Sequence, residues 1–425
     1  MSHTAPALLI FRVVAFLLSF GFLSFSMSAQ SLSQRLSDTY DFFREPALTE
    51  RRFRHRDLAP LLQRLPFEVK EVGKSTENRS ISRIRLGNGP VKVLLWSQMH
   101  GDEATATMAI FDLFRFFAAS GDGFDDLRKS ILSRTTLYFV PMLNPDGAEA
   151  WTRRTALGID MNRDALRLQT PEGRLLKHLQ QSLRPTFAFN LHDQSPRYSA
   201  GPTGKLATVS FLATAYNEAR EINDVRKRSI QLIVGLNRML QGFIPGQVAR
   251  YSDEFEPRAF GDNIQKWGSS LILIESGGYA GDPEKMYIRK LNYLALLTGL
   301  EAIASGTYRK EDIRTYDAIP ENGRAIYDLL VRNVQVVRNG QTILTDIAVN
   351  RQELAVFNRP EKWYIRGTVE EFGDLSVFFG TQELDASGLK IESDVRIGVK
   401  ADFELKTADG QVKYRIENGN LLPAH

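Results

Sequence analysis

Apolar residues recur along this chain in two rhythms, and the change from one to the other marks its organisation. From about Leu58 to Ser305, short runs of β-formers alternate with stretches of helical spacing. Residues 81–86 (ISRIRL) and 91–96 (VKVLLW) read as strands flanking Gly87-Asn88-Gly89-Pro90, a hairpin-like turn cluster. The second run is nearly all apolar, as a strand buried on both faces should be. Over 104–117, Met108, Ile110, Leu113, Phe114 and Phe117 fall at helical spacing. Residues 136–143, 187–191 and 270–274 read as further buried strands. Thr170-Pro171-Glu172 supplies an N-cap, a first-turn proline and an acid ahead of Leu175, Leu176, Leu179 and Leu183. A long helix is predicted over 284–304, closed by Gly306. This alternation predicts an α/β fold, a mixed central sheet with helices on both faces.

Residues 307–324 are polar, contain Pro320 and Gly323, and suit a linker. Beyond them the rhythm shifts. Residues 334–337, 346–349, 363–369, 375–379, 396–401 and 413–416 cluster β-formers between turn pairs such as Asn339-Gly340 and Asp409-Gly410. The expectation is a catalytic unit over 30–306, a linker over 307–324 and a small β-rich C-terminal domain over 325–425.

The N-terminus departs from both rhythms. Residues 13–25 are uncharged and apolar, Arg12 precedes them, and Ser26-Met27-Ser28-Ala29 supplies small residues. That order predicts a secretory signal peptide over 1–29 and a periplasmic or secreted protein, with an uncleaved N-terminal anchor as the alternative. No later run reaches the ~18 apolar residues of a membrane span.

Composition narrows the chemistry. At 425 residues and 43% hydrophobic the chain can build a full core, and a net charge of +4 signals no nucleic-acid partner. The short basic run Arg51, Arg52, Arg54, His55, Arg56 reads as a solvated face. Absence of cysteine removes disulfides, thiol nucleophiles and iron–sulfur clusters. Of six histidines, His3 and His425 are near the termini, which leaves His55, His100, His178 and His192 for imidazole chemistry. Gly201-Pro202-Thr203-Gly204-Lys205 is too short for a phosphate loop, and no G-x-S-x-G elbow exists.

Candidate site residues gather at strand ends, where ligand groups of open α/β sheets lie. His100 and Glu103 follow the strand over 91–96, with Gly101 letting the backbone bend between them. His192 follows the strand over 187–191. Together these make the His₂Glu set of zinc peptidases, whose open fourth position serves hydrolysis. Glu275 follows four aliphatics, Leu271 to Ile274, and at a strand end it suits a general base. Arginines at 153, 154 and 163 could stabilise an oxyanion or clamp a carboxylate, a task for guanidinium.

HxxE (His100, Glu103), NPDG (residues 144–147), a tryptophan–arginine stretch (Trp151, Arg153, Arg154), GxDxNR (residues 158–163), a strand-end His192 and a strand-end Glu275 occur in the order found in zinc metallocarboxypeptidases. The chain thus resembles a bacterial, secreted member of the carboxypeptidase A-like family from about Val69 to Ser305. The resemblance implies one zinc ion held by His100, Glu103 and His192, with Glu275 as general base. It further implies that Arg153 polarises the scissile carbonyl and that Asn162 with Arg163 holds the substrate's terminal carboxylate; Arg154 could exchange roles with Arg153. The family's Ser-Tyr pair after the third ligand is here Asp193-Gln194, and Tyr251 lies in the region of its mobile tyrosine without the matching local sequence.

The expected activity is hydrolysis of a C-terminal bond of peptides or cell-wall peptides by a monomer with no membrane span after signal removal. The alternatives are a zinc deacylase of N-acyl amino acids, and an inactive relative that binds peptide or glycan.

Overall fold

The fold is taken from a computed structural model that describes residue 1, residues 30–356 and residues 359–423. Apart from Met1, the predicted signal segment lies outside the described residues. No helix among them is long and apolar enough to cross a membrane.

Eight strands form the central sheet: β1 (Glu68–Lys74), β2 (Ser80–Leu86), β3 (Val91–Ser97), β4 (Thr135–Val140), β5 (Phe187–Asp193), β6 (Val209–Leu212), β7 (Val248–Arg250) and β8 (Ser270–Ser276). Their spatial order is β1-β2-β4-β3-β5-β8-β6-β7. The middle, β4-β3-β5-β8, is parallel, and antiparallel pairs flank it. The sheet is therefore mixed, as predicted.

Alternation along β3 explains its apolar run. Val93 and Leu95 face one core with α1 (Thr105–Ala118), α2 (Asp125–Arg134), α4 (Asp224–Leu240) and α6 (Met286–Ser305). Leu94 and Trp96 face the other with α3 (Pro171–Leu183) and α5 (Phe260–Lys266). Each fully buried aliphatic contributes about 1.5–3 kcal/mol. The predicted caps are present: Thr170 accepts from the Gly173 N–H at 3.0 Å, and Gly306 closes α6 at φ 76°.

Residues Gly87 to Pro90 do not close a hairpin. β4 inserts between β2 and β3, so the turn passes around the end of β4 instead. Backbone hydrogen bonds decide this: Asn88 N–H donates to Leu132 and Gly89 N–H to Thr135. Gly89 is required there, since a Cβ would fall 2.0 Å from the Arg134 carbonyl carbon.

The C-terminal region is β-rich. Its main strands are β9 (Leu329–Arg338), β10 (Gln341–Val356) and β11 (Arg359–Gly373), in a second eight-stranded sheet. Asn339-Gly340 makes the β9–β10 turn, with both residues at positive φ (50° and 75°). Two predicted strands are mainly loops, 375–379 and 396–401. Gly398 at φ 81° bends the second out of extended geometry.

The polar stretch 307–324 forms two short 3₁₀ helices and buries Tyr308, Tyr316 and Ile319 against the larger core. Its Asn322–Gly323 strand pairs with Ser199–Ala200. The basic run at 51–56 is not simply a solvated face. Arg51 and Arg52 both pair with Glu353 of β10, and their side chains are only 14% and 12% exposed. Arg52 also lies over the rings of Trp151, at 5.3 Å, and Trp363, at 4.2 Å.

Candidate metal centre

β3 and β5 are adjacent parallel strands, so their carboxyl ends open on the same edge of the sheet. Beyond β3 the chain turns sharply: Gln98 adopts φ 46°, and its side-chain amide donates to the Gly101 carbonyl at 2.9 Å. Gly101 admits no side chain, because a Cβ would lie 1.9 Å from the Gly147 carbonyl carbon. The NPDG motif is the brace beneath this turn. Asn144 N–H donates to Gln98, its side-chain amide donates to the Met99 carbonyl, and its Oδ1 caps Gly147 at 2.9 Å.

This turn brings together three of the predicted residues. His100, Glu103 and His192 are buried, and one ligand atom from each lies within 4.8 Å of the others. The two Oε atoms of Glu103 stand 2.8 Å from His100 Nδ1 and 2.7 Å from His192 Nδ1. The two Nδ1 atoms are 3.2 Å apart. Ligands at ~2.0–2.1 Å from a tetrahedral zinc ion are about 3.3 Å from one another, so the imidazole separation fits such an ion. Among the described residues this is the one cluster of this kind, and its two-nitrogen, one-carboxylate donor set suits zinc. His55 instead faces the Ser80 carbonyl, and His178 is exposed on α3.

Electrostatics in the cluster follow from mutual proximity. Burial opposes the imidazolium of His100, yet Glu103 and Asp160 outweigh it and raise its pKa to about 9. Burial would likewise raise Glu103, but the two histidines hold it well below the usual carboxylate range. Such a set is primed to exchange protons for a cation.

Asp160, quoted in the GxDxNR motif without a role, is the residue that the sequence reading left unassigned. Its Oδ1 lies 3.1 Å from His100 Nε2 and accepts from the Asn162 N–H at 2.9 Å; its Oδ2 accepts from Arg153 Nε at 3.0 Å. A carboxylate on the far nitrogen of a ligand histidine fixes tautomer and ring orientation. The signal that could have found it is the motif itself, since its aspartate stands two positions before Asn162, with only Met161 between them.

Arg153 points at the cluster, with Nη1 3.1 Å from Glu103 Oε1 and 3.0 Å from His100 Nδ1. Arg154 turns away and donates to the Gly158 carbonyl at 3.0 Å. Asn162 Oδ1 accepts from the Phe260 N–H at the start of α5, which leaves its –NH₂ for a ligand. Arg163 donates to the Asn162 carbonyl and pairs with Glu256 at 3.3 Å, while 40% of its side chain stays exposed.

Glu275 is the ladder partner of His192 across β5 and β8. Its Oε2 is buried without a hydrogen-bond partner. Burial, then the Glu103 carboxylate, push its pKa well above the usual range. Tyr251 follows β7 and meets Tyr198 edge to face at 6.0 Å. Burial and the Glu275 carboxylate raise its phenol.

Comparison with known proteins bears on this site. The chain is 27% identical to carboxypeptidase 2 of Trichophyton rubrum over 128 residues, which are 30% of this chain and 22% of that protein. It is 26% identical to carboxypeptidase 2 of Trichophyton tonsurans over 163 residues, 38% of this chain and 28% of that protein. The match thus spans about a quarter of the length of these relatives. Among solved structures, a metallo-carboxypeptidase from Burkholderia cenocepacia superposes with a TM-score of 0.46 at 18% identity, covering 58% of this chain and 68% of that one. A metallo-carboxypeptidase from Pseudomonas aeruginosa gives 0.42 at 19% identity, with the same coverage of 58% and 68%. Residues 61–188, which carry His100, Glu103, Arg153, Asn162 and Arg163, match the zinc carboxypeptidase family.

Proposed function

We propose that this chain is a zinc metallocarboxypeptidase that hydrolyses the C-terminal bond of peptides or cell-wall peptides after export. The observation that carries the reading is the convergence of His100, Glu103 and His192, with Glu275 opposite His192 on the next strand. His100, Glu103 and His192 would hold one zinc ion. When bound, zinc supplies Lewis acidity for the scissile carbonyl and acidifies water.

The protein's own groups do the rest. Arg163 and the Asn162 amide bind the free carboxylate, a planar anion that a guanidinium grips in two places. Arg153, already within reach of the cluster, donates to the carbonyl oxygen as negative charge grows on it. Glu275 takes a proton from the attacking water and returns it to the leaving amine. A carboxylate with a raised pKa is suited to both halves of that transfer. Asp160 keeps His100 and Arg153 in register throughout.

The experiment is a screen of C-terminally varied peptides and cell-wall fragments with mass detection, with and without a chelator. Chelator-sensitive release of single C-terminal residues is expected. Release of acyl groups from N-acyl amino acids alone would replace this reading with the deacylase.

A further inference from the structure

The C-terminal region and the metal-site candidate Glu103 border one cavity. This cavity of about 690 Å³ borders Glu103 and Asp193 on one side and is lined elsewhere by Asp328, Arg351, Gln352 and Glu353 of the C-terminal region. None of the proposed clamp residues lines it. Those residues adjoin His100 through Asp160, whereas the cavity adjoins Glu103. The clamp residues and the cavity thus meet the cluster through different residues, which leaves the cavity for the part of a substrate that does not carry the carboxylate.

The cavity is suited to a polar occupant. Asp102 and Asp193 line it, each with one carboxylate oxygen buried without a hydrogen-bond partner, and the other oxygen of Asp193 accepts from Lys285 Nζ at 3.0 Å. Buried acceptors of this kind call for donors, which peptide N–H groups or a terminal ammonium supply. The volume falls within the ~300–1,000 Å³ of pockets for drug-sized ligands, which equals a few residues of peptide.

The C-terminal wall is fixed in place. Arg197 Nη1 donates to Asp328 Oδ2 at 3.2 Å and to the Arg351 carbonyl at 3.1 Å. Gly204 sits so close to Phe379 that a Cβ would meet the ring at 2.8 Å. Outside the cavity, Arg52 pairs with Glu353, as Arg51 also does, and lies over the rings of Trp151 and Trp363.

We infer that the C-terminal β-sheet limits substrate length: it stands across the acyl side of the cleft, so the enzyme acts on short peptides and discriminates against long chains. The inference rests on the carboxypeptidase reading above. It assigns to the C-terminal sheet a part in specificity, and to Arg52 a positioning role exerted through Glu353.

The test is a length series, from tripeptide to decapeptide, sharing one C-terminal pair of residues and assayed singly and in equimolar mixture with the zinc-loaded full chain. kcat/KM is expected to fall at least tenfold between tripeptide and decapeptide. In Arg52→Ala, and independently in Trp363→Ala, the decapeptide-to-tripeptide ratio is expected to rise several-fold. A variant counts only if its thermal unfolding remains cooperative. Equal turnover of all lengths by the wild type would overturn this inference and leave the carboxypeptidase reading standing. So would a length preference that both variants leave unchanged, because the wall would then not set it. Cleavage of no length would overturn both.

Discussion

His192 and Glu275 face each other as a ladder pair at the carboxyl ends of two adjacent parallel strands. The sheet that positions the imidazole therefore also positions the carboxylate, and no loop intervenes between them. The proposed base is thus set by strand register, which shifts only in whole residues.

Glu275→Gln keeps the side-chain shape and removes titration. The variant is expected to fold, to retain zinc, and to lose turnover by about 10²–10⁴-fold. Zinc content by atomic emission, measured beside kcat, decides. Turnover near wild type would remove Glu275 from the mechanism, and loss of zinc would recast it as part of the metal site.

Asp160 should matter to the metal before it matters to substrate. His192→Ala is expected to lose most of its zinc. Asp160→Asn is expected to keep the site but weaken zinc affinity by about 10–100-fold, the usual cost of losing such a partner. Competition with a chromophoric chelator measures both. Unchanged affinity in Asp160→Asn would leave its contact with His100 without influence on the metal.

Arg163→Lys retains the charge and loses the planar fork. It should impair peptides with a free C-terminus far more than C-terminally amidated ones, chiefly through KM. Equal loss on both would make Arg163 a structural partner of Glu256, with which it pairs at 3.3 Å.

Asp262, on α5 behind Arg163, gives a pH dependence of stability. Burial raises its pKa to about 7, against which the Glu256 N–H donated to it works only in part. Its unfolded value is near the ordinary ~3.9. Folding therefore favours the protonated form, and the associated stability is full below that value and lost as pH rises through about 7. Asp262→Asn abolishes the titration, so its unfolding temperature relative to wild type should increase between pH 4 and pH 8. A difference that stays flat with pH would show that Asp262 ionises normally.

How much of this was legible beforehand follows from the range of the forces. The runs over 91–96 and 270–274, the Thr170 cap and Gly306 are local signals, and their elements form almost where predicted. The triad was legible because its members close strands whose apolar runs stand out. The insertion of β4 between β2 and β3 was not, since a four-residue Gly-rich turn looks the same whether it closes a hairpin or rounds another strand. Asp160 was visible as a letter of a motif, but its contact with His100 depends on the fold of two distant loops. The pairing of Arg51 and Arg52 with Glu353 lies across some three hundred residues, and composition made those arginines look solvated.

The insertion of β4 also bears on how the protein comes to exist. His100 and His192 are 92 residues apart in the chain and reach each other only once β3 has paired with β5, while β4, which lies between them in sequence, docks on the other edge of β3. Parallel pairing of this span pays its loop-closure entropy early and is rewarded late, which makes assembly slow. The last strand of the parallel block, β8, must also dock before Glu275 stands beside His192. The proposed site is therefore complete only when β3, β5 and β8 are all paired, and a chain that lacks either pairing holds only part of it.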